Sequence, residues 1–199
     1  MERITRGDIS LSRPEEILEL LKVVKQTFSR LDENNYPVDG QLIERLIKLA
    51  TQKQKVDVRD QALACLAAYE DNKAIEREIL AKLKFIPTLF GIWKTEQNMA
   101  VIRTVIIILK GLSVDDNESR SEILAEGALQ LLEKETNSEA NQEMLGQIAS
   151  FVHNIRLQFN TASPHDLELA WMLIAFLARN LQDCRSLADC FWALSRFST

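Results

Sequence analysis

The chain has 199 residues, of which 46% are hydrophobic and 27% are charged, and its formal net charge is −5. This negative charge argues against a nucleic-acid-binding surface, which needs a concentrated basic patch, and it suits a basic partner. The N-terminus has no apolar segment and the longest aliphatic run is VIIIL, so we expect neither a signal peptide nor a membrane span. Cys65, Cys184 and Cys190 lack metal-ligand spacing, which favours a reducing compartment, the cytoplasm or nucleus.

The first part of the chain is predicted to consist of amphipathic helices separated by polar breaks. Residues 1–14 form a short polar tail that ends at Pro14, and the acidic Glu15 and Glu16 behind this proline are typical of a helix start. Apolar residues then recur at helical spacing in three segments, which read EEILELLKVVKQTFSRL, QLIERLIKLATQ and RDQALACLAAY. The break DENNYPVDG separates the first two segments.

The same alternation of helix and polar break continues to the end of the chain. The predicted helices are residues 74–83, FIPTLFGIWK, MAVIRTVIIILKGL, SEILAEGALQLLEKE, EMLGQIASFVHNI and LELAWMLIAFLARN. The last one is LADCFWALSRFST, which runs from Leu187 to Thr199. Trp93 and Trp171 lie on helices of medium length, and we predict that both belong to the core.

The last helix recurs along the chain at a step of about 42 residues, within the range of helical solenoid repeats. The positions that share a phase with Trp192 are Ser150, Ile107 and Cys65, and those in phase with Arg196 are Asn154, Gly111 and Tyr69. Each cycle holds a short helix or turn, a medium helix and a longer helix, which is the armadillo pattern. The sequence therefore predicts an all-α fold, a right-handed armadillo superhelix of about four repeats over residues 15–199.

Several short motifs resemble the armadillo region of importin alpha, the adaptor that reads lysine-rich nuclear localisation signals. The segment Asn154–Thr199 follows that family's pattern without gaps, and the likeness extends back to Glu16. Its helix motif LAD-x-x-WA-x-S is present as Leu187, Ala188, Asp189, Trp192, Ala193 and Ser195. Further matches are Ile86, Pro87, Arg120, Gly127 and Ala128.

This resemblance implies a concave groove in which Trp and Asn side chains, one helical turn apart, hold a peptide. Trp faces would stack on lysine stems, and Asn side chains would bind the peptide backbone. Among the repeating positions only Trp192 and Asn154 keep these residue types, so we expect weak or altered peptide recognition. Asp115 and Asp189 match acidic positions that face the peptide's cations. The predicted groove residues are Trp192, Asn154, Asp189, Asp115, Ser195 and Arg196.

Each of these residues also has a plainer interpretation. Trp192 could be core packing, and Asn154 could make a local hydrogen bond in an apolar helix. Asp115 could cap a helix or lie in a solvated loop. Asp189 could be a surface charge or pair with Arg185, one turn earlier.

The favoured function is an importin-alpha-like adaptor that binds protein or basic peptide cargo and is linked to nuclear import. The alternative is an armadillo scaffold or regulatory module that binds partners without classical signal recognition. The family's basic arm for importin beta has no counterpart before Pro14, so we expect no pairing with importin beta through this chain. We also expect no nucleic-acid or membrane partner.

Catalysis finds little support in the sequence. His153 and His165 have no Ser or Cys nucleophile at motif spacing, and no H-E-x-x-H motif or Gly-rich phosphate loop is present. We therefore expect no enzymatic activity, no cofactor and no metal.

At the C-terminal end, Phe191 and Phe197 would lack a covering repeat, which predicts self-association or a partner docked there. Alternatively, both turn inward against Leu173 and Phe176.

Overall fold

The computed structural model describes residues 13–30, 40–52, 55–70, 75, 77–114, 116–137, 142–161 and 163–194. Every regular element in these ranges is a helix, so the all-α prediction is confirmed. The chain divides into two compact units, Met1–Gly111 and Leu112–Thr199. Each unit is built from helices that pack side by side.

The first unit holds six helices within its described residues. They are α1 Pro14–Phe28, α2 Gly40–Ala50, α3 Val56–Glu70, α4 Arg77–Leu83, α5 Phe85–Thr95 and α6 Met99–Leu112, whose last residue belongs to the second unit. As predicted, α1 begins at Pro14 with Glu15 and Glu16 in its first turn. Helix α3 packs against both α1 and α2, and α2 also contacts α4.

Helices α1 and α3 are parallel neighbours. Near the middle of α1, the carbonyl of Leu21 accepts a hydrogen bond of 3.2 Å from the buried Cys65 thiol of α3. At its end, the Phe28 and Tyr69 rings lie with centroids 5.2 Å apart. From the first contact to the second, the residue numbers increase on both helices. The two helices therefore run in the same direction, as the long helices of successive repeats do. Burial of the Cys65 thiol raises its pKa to about 12.

The core of the first unit is apolar and contains one of the two tryptophans predicted to be buried. Trp93 is buried on α5, next to the ring of Phe90 at 5.8 Å, which confirms that prediction. Helix α5 begins at Phe85, where the predicted segment FIPTLFGIWK begins, and includes Pro87 in its first turn. A proline fits there because the first helical N–H groups have no partner within the helix.

The second unit repeats this arrangement. Its described elements are α7 Asn117–Ala125, α8 Ala128–Asn137, α9 Gln142–Ile155, the 3-10 segment Arg156–Thr161, α10 Pro164–Asn180 and α11 Cys184–Leu194. Helix α9 packs against α11, and α10 contacts α8 and α11. Gly127, between α7 and α8, has φ 89°, a left-handed conformation that favours glycine.

The last two helices begin earlier than the periodicity predicts because side-chain caps precede them. Ser163 Oγ accepts the Asp166 N–H at 3.1 Å, so α10 includes the proline and the two residues assigned to a turn. Asp183 Oδ1 likewise accepts the Ser186 N–H at 2.7 Å, so α11 starts at Cys184 instead of Leu187. Both cap residues lie in segments that the sequence presents as polar breaks.

A buried arginine of α7 holds the short chain segment that precedes this helix in the second unit. The Arg120 guanidinium donates hydrogen bonds to the carbonyls of Ser113 at 2.9 Å and Val114 at 2.7 Å, and it also contacts Asn117 Oδ1. These carbonyls follow the last turn of α6, where backbone acceptors lack helical partners. The arginine that resembles the importin alpha pattern therefore has a structural role here.

Trp171 is not a core residue, contrary to the prediction. Its side chain is 50% exposed, whereas Leu169, Leu173 and Leu177 form the buried face of the same helix. Trp171 lies two residues from Leu169 and two from Leu173, which is about 200° around the helix. Its side chain therefore points away from the buried face. The predicted burial was wrong because it considered residue type without helical phase.

Candidate protein-binding surface

Helices α9 and α11 form one continuous face in the second unit. Gly146 on α9 lies so close to α11 that an added Cβ would be 3.0 Å from Ser186 Oγ. One turn further along, Ser150 Oγ donates a hydrogen bond of 2.7 Å to Asp189 Oδ2. Because the two contacts advance together, α9 and α11 are parallel, and the absent side chain at Gly146 permits their close approach.

Asp189 is held against α9 by two neighbours. Besides accepting the Ser150 hydrogen bond, its other oxygen lies 4.0 Å from His153 Nδ1. The carboxylate is partly buried between the helices, with 23% of the side chain exposed. Both described neighbours are on α9, so the position of Asp189 depends on packing between helices and not on Arg185, one turn earlier on α11.

The surroundings of His153 disfavour its protonated form. Burial lowers its pKa below 6.5, the nearby Arg156 charge lowers it further, and Asp189 opposes both effects. The Nδ1 atom is buried and has no hydrogen-bond partner among the described residues, because 4.0 Å is too long for a hydrogen bond. The negative charge of Asp189 is therefore not neutralised by His153.

Trp192 lies one turn beyond Asp189 and is 63% exposed, so the core interpretation of this residue is wrong. Asn154 lies one turn beyond Ser150 and is partly buried. Since Ser150 and Asp189 are paired on parallel helices, Asn154 and Trp192 lie at about the same level. The structure thus brings three predicted groove residues onto one face, which also contains Ser150 and His153. We call this face the α9–α11 surface.

The other predicted groove residues, Asp115, Ser195 and Arg196, lie outside the described residues, and their roles remain predictions. The same holds for Phe197 and for most of the tail at 1–14, on which the importin beta prediction depends. Phe191 is described and is 63% exposed, so the interpretation that it turns inward is wrong.

Burial also corrects the register of the repeat. A step of 43 residues carries the buried Ala62 to Val105, and Val105 to Ile148, and it superimposes the buried positions of α3, α6 and α9. The sequence step of about 42 misses this by one residue at α3. Cys65 and Tyr69 are consequently core residues, not groove positions.

With the corrected register, the positions equivalent to Ser150 and Asn154 in the first unit carry small or aliphatic side chains. We call these four residues the small-residue positions: Ala64, Ala68, Ile107 and Gly111. All four are partly exposed. None provides an aromatic face or a side-chain amide, so the Trp and Asn pattern is confined to the α9–α11 surface among the described residues.

Comparison with known proteins identifies the architecture. No family model and no curated protein sequence matches the chain. Over its whole length it is similar to a designed armadillo repeat protein in complex with the peptide (KR)4, with a TM-score of 0.68 at 16% identity, covering 80% of that protein. The fold is that of the armadillo-repeat proteins. The armadillo prediction is therefore confirmed.

Two further solved structures agree with this assignment. One is a computationally designed armadillo repeat protein for modular peptide recognition, with 17% identity and a TM-score of 0.63 over 92% of this chain and 93% of that one. Another comes from a study in which a conserved phosphorylation switch controls the interaction between cadherin and beta-catenin. Its TM-score is 0.56 at 15% identity, over 94% of this armadillo chain and 45% of that chain. Sequence comparison adds no support to the importin alpha resemblance.

None of the described helices is both long enough and apolar enough to cross a membrane. Within the same residues, no three His, Cys, Asp or Glu side chains are grouped so as to hold a metal ion.

Proposed function

We propose that this armadillo chain is a protein-interaction scaffold that binds an extended segment of a partner protein on the α9–α11 surface. The observation that carries the proposal is the exposed Trp192 one turn from the partly buried carboxylate of Asp189. An armadillo neighbour of similar architecture is in complex with the basic peptide (KR)4, which supports binding of extended peptides by this fold.

The three residues would act on different parts of the bound segment. The indole of Trp192 offers an apolar face for a side-chain stem or a cation. Asp189, held by Ser150, supplies a negative charge at a fixed position. The Asn154 amide can donate to and accept from a peptide backbone. A partner segment with a lysine or arginine between smaller residues fits this combination.

A more specific function would be the recognition of lysine-rich import signals. The residues of the first unit do not favour it. Its small-residue positions lack the tryptophans on which lysine stems would stack, and each such contact contributes about 0.5–2 kcal/mol. The tryptophan positions of the first unit are Ala64 and Ile107, and Ser150 on α9 is a third position without tryptophan. Loss of three contacts corresponds to roughly one to four decades in Kd. We therefore expect a simple lysine-rich signal to bind no better than about micromolar, and we prefer the scaffold function in the cytoplasm or nucleus.

Calorimetric titration with the (KR)4 peptide tests the proposal. Trp192→Ala should weaken binding by about 2- to 30-fold, the range for one desolvated cation–aromatic contact. Trp171→Ala is the matched control, because Trp171 is similarly exposed but lies on α10. Affinity that changes equally in both variants, or the absence of wild-type binding, would refute the proposal. Nanomolar wild-type binding would instead favour the import adaptor.

A further inference from the structure

A basic depression lies between α1 and α3 in the first unit. Its volume is about 380 Å³, and no carboxylate of the described residues lines it; the described lining residues are Lys22, Lys25, Gln26, Ser29, Arg30 and Gln61. Lys22, Lys25 and Gln26 recur at helical spacing on α1, and Ser29 and Arg30 directly follow its last residue. We call this feature the α1 depression.

Two of its three cations are available to a partner. Lys22 pairs with Glu19 at 2.7 Å, but both side chains are largely exposed, so the pair is weak. Lys25 and Arg30 are exposed and make no ion pair with any described residue. They lie near the C-terminal end of α1, and the α1 depression thus carries positive charge that no described carboxylate pairs with, on a chain whose net charge is negative.

An acidic depression adjoins it. The second depression has a volume of about 390 Å³, shares Gln61 with the first, and is lined in part by Asp57 and Asp60 of α3. Asp60 is partly neutralised by Arg59 at 2.7 Å, whereas no ion pair involves Asp57 among the described residues. Charge therefore changes sign across Gln61, from positive along α1 to negative at the start of α3. A bound segment would be oriented by this change.

We propose that the α1 depression binds an acidic segment of a partner protein, with its carboxylates placed over Lys25 and Arg30. The Gln26 and Gln61 amides lie at the same depression and can donate hydrogen bonds to carboxylate or backbone oxygens. This surface goes beyond the proposed function: it lies in the other unit, prefers the opposite charge and does not require Trp192. A scaffold with both surfaces engages two segments of opposite charge.

Fluorescence anisotropy with two labelled peptides tests this inference. One peptide alternates Asp and Glu with Gly and Ser, and the other has Asn and Gln in place of the acids. Wild type should prefer the acidic peptide, with an affinity that falls as salt rises. Lys25→Glu combined with Arg30→Glu should weaken binding by about tenfold or more. Equal binding of the two peptides would overturn the proposal.

A charge-matched control separates the depression from the overall charge of the chain. Lys134→Glu combined with Arg179→Glu changes the net charge equally at exposed positions of the second unit. This variant should lose less than about threefold in affinity. Equal losses in both variants would contradict a specific site. Circular dichroism melting of each variant verifies that it is folded.

Two further arms exclude other occupants. Asp32 and Glu33 follow Arg30 in the sequence, so the titrations are repeated with Asp32→Asn combined with Glu33→Gln. The proposal is supported if Lys25→Glu combined with Arg30→Glu weakens binding of the acidic peptide, either in the otherwise wild-type protein or in this variant. It is refuted if binding is unchanged in both. A single-stranded oligonucleotide that binds more tightly than the acidic peptide, with the same dependence, would assign the depression to nucleic acid and overturn it. The (KR)4 titration with Trp192→Ala stays independent of all these outcomes.

Discussion

Ser150 and Asp189 are joined by a hydrogen bond of 2.7 Å that connects the two parallel helices of the α9–α11 surface. The acceptor is a carboxylate, and such charge-assisted bonds are stronger than bonds between neutral groups. Trp192 lies one turn beyond this bond on α11. The contact therefore fixes the level of the exposed indole relative to α9.

We predict that Ser150 and Asp189 are energetically coupled. In a double-mutant cycle with Ser150→Ala and Asp189→Ala, urea unfolding should give a coupling free energy of about 1.5–3 kcal/mol, the usual contribution of a hydrogen bond to a charged group. Additivity within about 0.3 kcal/mol would show that the contact contributes nothing to stability.

His153 should make the protein less stable in mild acid. Its pKa in the folded state lies below 6.5, chiefly because of burial and then because of Arg156. The unfolded chain therefore takes up the proton first, and the free energy of unfolding falls as pH drops below the unfolded-state value. Above that value both states are neutral, and this residue adds no pH dependence.

Urea unfolding on both sides of pH 6.5 measures this effect. His153→Gln should remove part of the acid destabilisation. Indistinguishable stability profiles for wild type and His153→Gln would mean that folding does not lower the pKa of His153.

Two glycine substitutions should change stability in opposite directions. Gly127→Ala should cost about 1–2 kcal/mol, because φ of 89° is unfavourable for a residue with a Cβ. The added Cβ would also lie 3.2 Å from the flexible end of Gln130, a smaller effect. Gly91→Ala lies within α5 with no atom within 4 Å of the new Cβ, so it should stabilise by about 0.5–1 kcal/mol. Thermal melts that shift in the same direction would refute the strain argument.

Phe191 should promote self-association. Its side chain is 63% exposed on α11, and exposed apolar groups commonly mark interfaces. Sedimentation velocity over a concentration series should show a wild-type oligomer that Phe191→Glu dissociates, while Trp171→Glu on α10 does not. A wild type that remains monomeric at every concentration would exclude this interface.

The existence and order of the helices could be predicted from the sequence, because each helix buries an apolar stripe that recurs at helical spacing. The starts of α10 and α11 could not, because Ser163 and Asp183 act as caps inside segments of polar composition. Cap geometry depends on backbone conformation, which composition does not reveal.

The candidate site was predicted in part. Trp192, Asn154 and Asp189 were chosen by phase and by resemblance, and they do share one face. Their connection through Ser150 and His153 was missed, since the register between α9 and α11 is a property of packing. Cys65 was assigned to the groove, although it is a core residue, because the predicted repeat step between α6 and α3 was one residue too short. For Trp171, the helical phase relative to Leu169 and Leu173 was an available signal.

If the first unit binds a partner as proposed, the small-residue positions of α3 and α6 limit how strictly that unit can dictate the partner's sequence. Alanine and glycine form no pocket that rewards one particular side chain, so discrimination falls to backbone shape and to the charges of Lys25, Arg30 and Asp57. Partner residues opposite Ala64, Ala68 and Gly111 can then change over generations with little loss of affinity. The proposed scaffold would tolerate sequence drift in its partners and would accept unrelated segments that share only a charge pattern.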